Sequence, residues 1–305
     1  VPGLQTESRF HRNSMSHLVI HRSRSRIPDF SIMRPRSLIE ARNMLDGEPD
    51  AVAMAGGLDI VNRMKEGFVP RSLVMLAGID KFDAVRLSSE QDAIDIGAGT
   101  SHDALANNAL VRARLPDLAQ CWGQIANIRI RMQGTVAGNL LALMPGYEGA
   151  ILLSALDASL SYSTNELPDG SIDVKEFGAA SDAFVLSRGL VGTVRVPLPT
   201  AGTTRRLVYD RSLRPMLSVA LSIDHTEGLV DRACVAVGGC HRWPFCSDLP
   251  VASLSLSDFH AVAEGMALQA IGQMPEPTVP WFGLSGYRET VAPILLSRLI
   301  REVAQ

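Results

Sequence analysis

From residue 30 onward the chain alternates short apolar runs with glycine-containing turns. Ser37-Leu-Ile-Glu40 has the form of a capping box, in which Ser37 accepts from the Glu40 amide and Glu40 reaches back. Leu38, Ala41, Met44 and Leu45 then recur at helical spacing until Gly47. Residues 51–55 form a short apolar run leading into Gly56-Gly57, and residues 58–65 place Ile60, Val61 and Met64 on one helical face. Runs at 72–76 and 93–97 predict two further strands, so this part reads as a small βαβ-like unit. A helix capped by Ser101 or Asp103 is expected through Asn107, a further helical stretch over 115–126, and an apolar helix over 150–156. Strands at 160–163 and 190–196 precede Pro197-Leu-Pro199-Thr-Ala-Gly202, the best linker candidate. Beyond it, 206–211, 216–223 and 232–238 read as an antiparallel meander. Helices over 257–271 and 287–303 close the chain, with Pro293 expected to kink the second or shift its start.

Composition narrows the class. The chain has 305 residues, 46% of them hydrophobic and 20% charged, which suits a globular protein of about two domains at roughly 150 residues each. A formal net charge of −3 argues against a broad basic face for nucleic acid, and no apolar run reaches the length of a membrane span. The basic residues are 26 Arg against 3 Lys, a bias that reflects genome composition rather than chemistry. Residues 1–36 hold seven Arg and three His against Glu7 and Asp29, so the remaining body is distinctly acidic. This basic stretch lacks the apolar core of a secretory signal. It reads as an arm lying on an acidic surface or as one gripping a partner subunit. Val1 in place of Met points to processing or an upstream start, with Met15 as a further candidate start. Cys121, Cys234, Cys240 and Cys246 fit neither paired zinc ligands nor an iron–sulfur run. The last three recur every six residues, which in strands points them to one face. They read as reduced thiols in a cytoplasmic protein.

Three loops stand out: Ala55-Gly-Gly-Leu-Asp59, Gly97-Ala-Gly-Thr-Ser-His102 and Gly134-Thr-Val-Ala-Gly-Asn139. Such loops let backbone amides approach a phosphate, because no Cβ intervenes and a helix N-terminus favours an anion. None matches the dinucleotide fingerprint G-x-G-x-x-G, and none carries the lysine of a nucleoside-triphosphate loop. A dinucleotide held by loops from separate segments fits better. No nucleophile elbow, zinc-protease motif or carboxylate pair is present. His102 reads as a turn or capping residue, His241 as surface or interdomain packing, and Cys240 has no activating partner. Trp122, Trp243 and Trp281 are too scattered for an aromatic cage. No catalytic residue and no metal ligand emerges. That pattern suits a protein that positions an electron-carrying cofactor.

Taken together in order, Met54-Ala-Gly-Gly-Leu-Asp-Ile-Val61, Ile96-Gly-Ala-Gly-Thr-Ser-His102 and Ile130-Arg-Met-Gln-Gly-Thr-Val-Ala-Gly-Asn-Leu140 resemble the FAD-binding medium subunit of molybdenum hydroxylases, the xanthine and carbon monoxide dehydrogenase relatives. The likeness continues through Leu152-Leu-Ser-Ala-Leu-Asp-Ala158, Thr193-Val-Arg-Val-Pro-Leu-Pro199, Ala236-Val-Gly-Gly239 and Ser285-Gly-Tyr-Arg288. It implies an α+β fold: a vanillyl-alcohol-oxidase-type FAD-binding domain of two α+β subdomains (30–88 and 89–200), then an α+β C-terminal domain over 201–305, behind a basic arm over 1–29.

The resemblance also implies the ligand contacts. Met54, Ala55, Gly56, Gly57, Leu58 and Asp59, with Gly134, Thr135, Ala137, Gly138 and Asn139, would clamp the FAD pyrophosphate through amides, the Thr135 hydroxyl and the Asn139 side chain. Ile96, Gly97, Ala98 and Thr100 form the loop between them. Glu148 falls where relatives carry an Asp facing the adenosine end, Leu190 and Val191 where apolar side chains approach the ligand, and Arg211 where a Lys is frequent. Departures are Ala137 for a glycine, Leu58 for Thr or Gln, and Ala142 and Met144 for polar groups. The implied role is electron transfer from the 2Fe–2S clusters of a small partner subunit, through FAD, to an external acceptor. Substrate oxidation would occur on a large partner with a molybdenum cofactor, in a cytoplasmic dimer of heterotrimers without nucleic acid or membrane span. A flavin-poor scaffold subunit and a stand-alone flavin oxidoreductase are the alternatives.

Overall fold

The computed structural model describes residues 27–164, 169–186, 188–212, 217–239, 241–251, 254–275 and 285–303. The basic arm, apart from its last three residues, lies outside them, as do Cys240 and Trp281. The first unit is a parallel three-stranded sheet, β1 (Ser31–Met33), β3 (Ser72–Met75) and β2 (Ala51–Met54) in the order β1-β3-β2. Helix α1 (Leu38–Gly47) starts as the capping box predicts, with Ser37 Oγ accepting from the Glu40 amide at 3.1 Å. Glu40 reaches back one residue further than expected, to the Arg36 amide at 2.8 Å. Helix α2 (Leu58–Lys65) joins β2 to β3, completing the predicted βαβ crossover.

The second unit is an antiparallel five-stranded sheet. Its order is β4 (Val85–Leu87), β5 (Ala93–Gly97), β8 (Leu190–Pro197), β6 (Ser159–Ser163), β7 (Gly170–Asp173). A subdomain break at 88/89 would cut the β4–β5 hairpin. Between β5 and β6 run α3 (His102–Asn107), α4 (Ala109–Arg114), α5 (Pro116–Trp122), α6 (Ile128–Arg131), α7 (Val136–Leu141) and α8 (Gly149–Ala155). The helical stretch expected over 115–126 is only α5, opened by Pro116 at its first position and ended at Gly123. Helix α9 (Val174–Leu186) follows β7. Ile94, Ile96, Leu160, Val194 and Val196 project from the large sheet into a core shared with Ala41, Leu45 and Val74 of the first unit.

The third unit is the predicted meander, β9 (Thr204–Arg211), β10 (Ser218–Thr226), β11 (Leu229–Gly238) and β12 (Phe245–Asp248), ordered β12-β11-β10-β9. Its alternation is two-sided. Val219, Leu221, Ile223, Val235 and Val237 meet a core shared with α10 (Leu256–Ala261), α11 (Ala263–Gly272) and α12 (Ser285–Val303). Ala220 and Ala236 on the opposite face join the core of the preceding units. Small residues there let α8 approach closely: a Cβ on Gly238 would overlap the Ile151 side chain. Cys246 pairs with Ala236 across the strands, so the even spacing puts it on the face that carries Cys234; both are free thiols. The helix expected over 257–271 is two, because Val262 leaves helical backbone values (φ −100°, ψ 4°). The final helix starts at Ser285 and continues through Pro293.

Candidate functional site

The three glycine loops converge, but they treat their backbone donors differently. Loop one joins β2 to α2. Gly57 adopts a left-handed conformation (φ 77°) as N-cap of α2, and no side chain caps that helix. An α-helix leaves its first amides without intrahelical partners, so this turn presents open N–H groups and the positive end of the helix dipole. Gly56 lies directly against loop three, where a Cβ would overlap the Gln133 carbonyl oxygen. Met54 through Asp59 are all half-buried, and Asp59 pairs with Arg63 at 3.9 Å.

Loop two is buried and internally satisfied. Ile96, Ala98 and Thr100 are fully enclosed. The amides of Gly97, Ala98, Gly99 and Thr100 donate to Ala84, Gly192, Phe82 and Gly97 carbonyls at 2.8–3.0 Å. Its glycines make room for protein, since a Cβ on Gly97 or Gly99 would overlap Phe82. The Thr100 hydroxyl donates to the Asp83 carbonyl at 3.1 Å. Leu190 and Val191, 3% and 2% exposed, lie beside the Gly192 carbonyl that accepts from Ala98.

Loop three is woven into loop two. Val136 donates to the Thr100 carbonyl at 2.9 Å and Ala137 to the Ala98 carbonyl at 3.1 Å. Thr135 caps α7, its hydroxyl accepting from the Gly138 amide at 3.1 Å, and its carbonyl accepts from Asn139 at 2.9 Å. Asn139 Oδ1 accepts from the Gly149 amide at 2.9 Å, leaving the side-chain NH2 as a donor. Ala137, the departure from the glycine pattern, sits in ordinary helical backbone with its methyl in the core. It therefore presents no methyl to a phosphate at this loop. Met144 and Asn139 line a shallow cleft that Tyr147 and His241 also border. His241 thus packs between units. Burial and then Arg288 push its pKa down.

Glu148 and Arg211, separate in the sequence, are joined. Glu148 is 3% exposed, and Arg211 Nη1 donates to both its oxygens at 2.9 and 3.0 Å. The Tyr209 hydroxyl also donates to Glu148, and its pKa is raised by burial and then by that carboxylate. Tyr209 escaped sequence reasoning. The only available signal was its inward position in the alternation of β9. His102 begins α3, and its amide donates to the Gly134 carbonyl at 2.9 Å. The Trp122 indole N–H donates to its Nδ1 at 3.0 Å. Burial, aided by Arg131, pushes the His102 pKa down to about 4, so the ring is neutral at neutral pH.

Residues 28–199 match the family model described as the FAD binding domain in molybdopterin dehydrogenase. The chain belongs to this family. Among relatives of this FAD-binding medium subunit, the glyceraldehyde dehydrogenase medium chain of Sulfolobus acidocaldarius is 26% identical over 289 residues, 91% of this chain and 99% of that one. The carbon monoxide dehydrogenase medium chain of Hydrogenophaga pseudoflava is 33% identical over 182 residues, 58% of this chain and 61% of that one. A chain of the reconstituted CO dehydrogenase from Oligotropha carboxidovorans shares the fold, with a TM-score of 0.75 at 22% identity across 92% of this chain and 99% of its own. The α+β architecture implied by the loop resemblance is therefore the observed one. The chain is an FAD-binding oxidoreductase subunit of a molybdopterin dehydrogenase complex. Among the described residues, no helix is long and apolar enough to cross a membrane.

Proposed function

We propose that this subunit is the flavin-bearing electron exit of its complex, with loop one as the principal pyrophosphate contact. The carrying observation is the first turn of α2, a left-handed glycine cap with no capping side chain. The residues present fit the group. An anion at that turn meets a helix start without a side-chain cap and the positive end of the helix dipole. The Thr135 hydroxyl still has its proton to donate, as does the Asn139 amide group. Loop two braces loop three from behind, while Ile96, Leu190 and Val191 keep that wall dry. The Glu148–Arg211–Tyr209 cluster ties β9 to the Asn139–Gly149 contact, fixing the third unit against the site.

FAD, when bound, supplies a centre that exchanges electrons singly or in pairs. This chain contributes binding, orientation and exclusion of water. The electrons would arrive from 2Fe–2S clusters on a small partner and originate at a molybdenum cofactor on a large one, in a cytoplasmic dimer of heterotrimers. Relatives named as medium chains support the multi-subunit reading. Titrating the apo chain with FAD tests it: uptake of one flavin per chain is expected. An absence of uptake would instead favour the scaffold alternative that Ala142 and Met144 suggest.

A further inference from the structure

The connection between α7 and α8 is short, strained and pinned at both ends. Leu143, itself buried, holds a left-handed backbone (φ 51°), which a bulky residue adopts only where its surroundings enforce it. Met144-Pro145-Gly146-Tyr147 then forms a tight turn, closed by the Tyr147 amide donating to the Met144 carbonyl at 2.9 Å. Directly after the turn, Glu148 is held by Arg211 and Tyr209, and the Gly149 amide donates to Asn139 Oδ1. Between these anchors the Tyr147 side chain stands out of the core, 38% exposed, although Leu143 and Glu148 on either side are buried. Nothing in the turn calls for a ring there: its bonds are made by amides and Asn139, and α8 fills the core with Ile151 and Leu152. The ring borders the shallow cleft that Asn139 of loop three also lines. The Asp59 carboxylate of loop one is near enough to act on its hydroxyl: burial first, and then that charge, raise the Tyr147 pKa. One aromatic side chain therefore lies within reach of both loops that frame the pyrophosphate position.

We propose that the Tyr147 ring is a stacking platform for one of the two planar ring systems of the bound dinucleotide, adenine or isoalloxazine. This inference rests on the flavin reading above. FAD carries a flat aromatic system on either side of its pyrophosphate, so a ring beside the pyrophosphate loops meets one of them. Backbone amides and the helix dipole recognise the charge of the ligand but not its planar groups. Tyr147 supplies that second kind of recognition, and the pinned turn holds the ring in place so that little ordering cost remains on binding.

The test titrates the full chain, Tyr147→Phe and Tyr147→Ala with FAD. Tyr147→Ala should weaken binding about five- to a hundredfold, the range found when a base-stacking aromatic is truncated. Tyr147→Phe keeps the ring and should bind as the wild type does. The emission of the bound flavin tells the two rings apart. Brighter emission from Tyr147→Ala assigns the stacking to isoalloxazine, and unchanged emission with the same loss of affinity assigns it to adenine. In parallel, the full chain labelled with 13C-tyrosine, which has four tyrosines, reports on the ring itself. The Tyr147 signals are assigned by their loss in Tyr147→Phe. On FAD binding they should shift upfield, while those of Tyr287, packed against the core of the third unit, stay. Tyr147 signals unmoved by bound FAD overturn the proposal, a result that stays decisive even if Tyr147→Ala fails to fold. Equal weakening by Phe and Ala also overturns it, because the effect would then belong to the hydroxyl, and so does undiminished binding by Tyr147→Ala. Wild-type chain that takes up no FAD at all overturns the flavin reading itself, and this inference with it.

Discussion

Loop one and loop three look interchangeable as glycine motifs, yet in the fold they are opposites. Loop one ends on a helix whose first amides have no side-chain cap. Loop three ends on a helix capped by Thr135, and its Val136 and Ala137 amides are bonded to loop two. A phosphate meeting loop one finds a helix start without a side-chain cap. One meeting loop three finds mainly the Thr135 hydroxyl and the Asn139 side chain. Glycine in these motifs thus serves two needs. At Gly57 it permits a left-handed turn, and at Gly56 and Gly97 it permits backbone to touch protein. Only the first kind opens amides to a ligand.

That contrast can be broken most forcefully at loop two. Gly97→Ala inserts a methyl into the Phe82 carbonyl, a backbone group that cannot move aside. It should lower stability by about 3 kcal/mol in urea unfolding, the upper range of overpacking. The flavin affinity of the remaining folded chain should change little. A variant that kept full stability while losing flavin would put loop two among the direct contacts.

A second probe is pH. The folded His102 pKa of about 4 lies below its ordinary value of 6.5. Between these values the unfolded chain binds a proton that the folded chain refuses, so stability should rise with pH across the window. Below about 4 both states are protonated, and above 6.5 neither is. The contribution present above pH 6.5 and lost on acidification is roughly 3 kcal/mol, at 1.36 kcal/mol per pH unit. Unfolding free energies measured from pH 4 to 7 should show this slope, and His102→Gln should flatten it. The smallest effect is expected at the cap of loop three. Thr135→Ala should lower stability by about 1 kcal/mol, a typical value for a lost N-cap. Any larger effect on flavin affinity would show that its hydroxyl proton reaches the ligand.

Local patterns were the legible part of this molecule. Ser37 and Glu40 announced α1, the spacing of Ile60, Val61 and Met64 announced α2, and the alternation in β9 to β11 announced the meander. The short helices α4 and α6 have too few turns to show an apolar period, although Asn108 and Asn127 cap them. The order of the three loops pointed to their ligand class. What spacing does not reveal is how a loop distributes its hydrogen bonds, because those partners come from distant segments. Ala98 bonds to Gly192, Val136 to Thr100, and Arg211 of β9 closes on Glu148 at the start of α8. Ala137 shows the same limit. Its methyl looks like an intrusion in the motif, but the fold turns it into the core.

Amide hydrogen exchange, followed residue by residue with and without FAD, tests the central claim most directly. The amides of Leu58, Asp59 and Ile60 should exchange rapidly in the apo chain and become protected on FAD binding. Those of Ala98, Val136 and Ala137 should be slow in both states. Strong new protection across loop three, with loop one unchanged, would contradict the account.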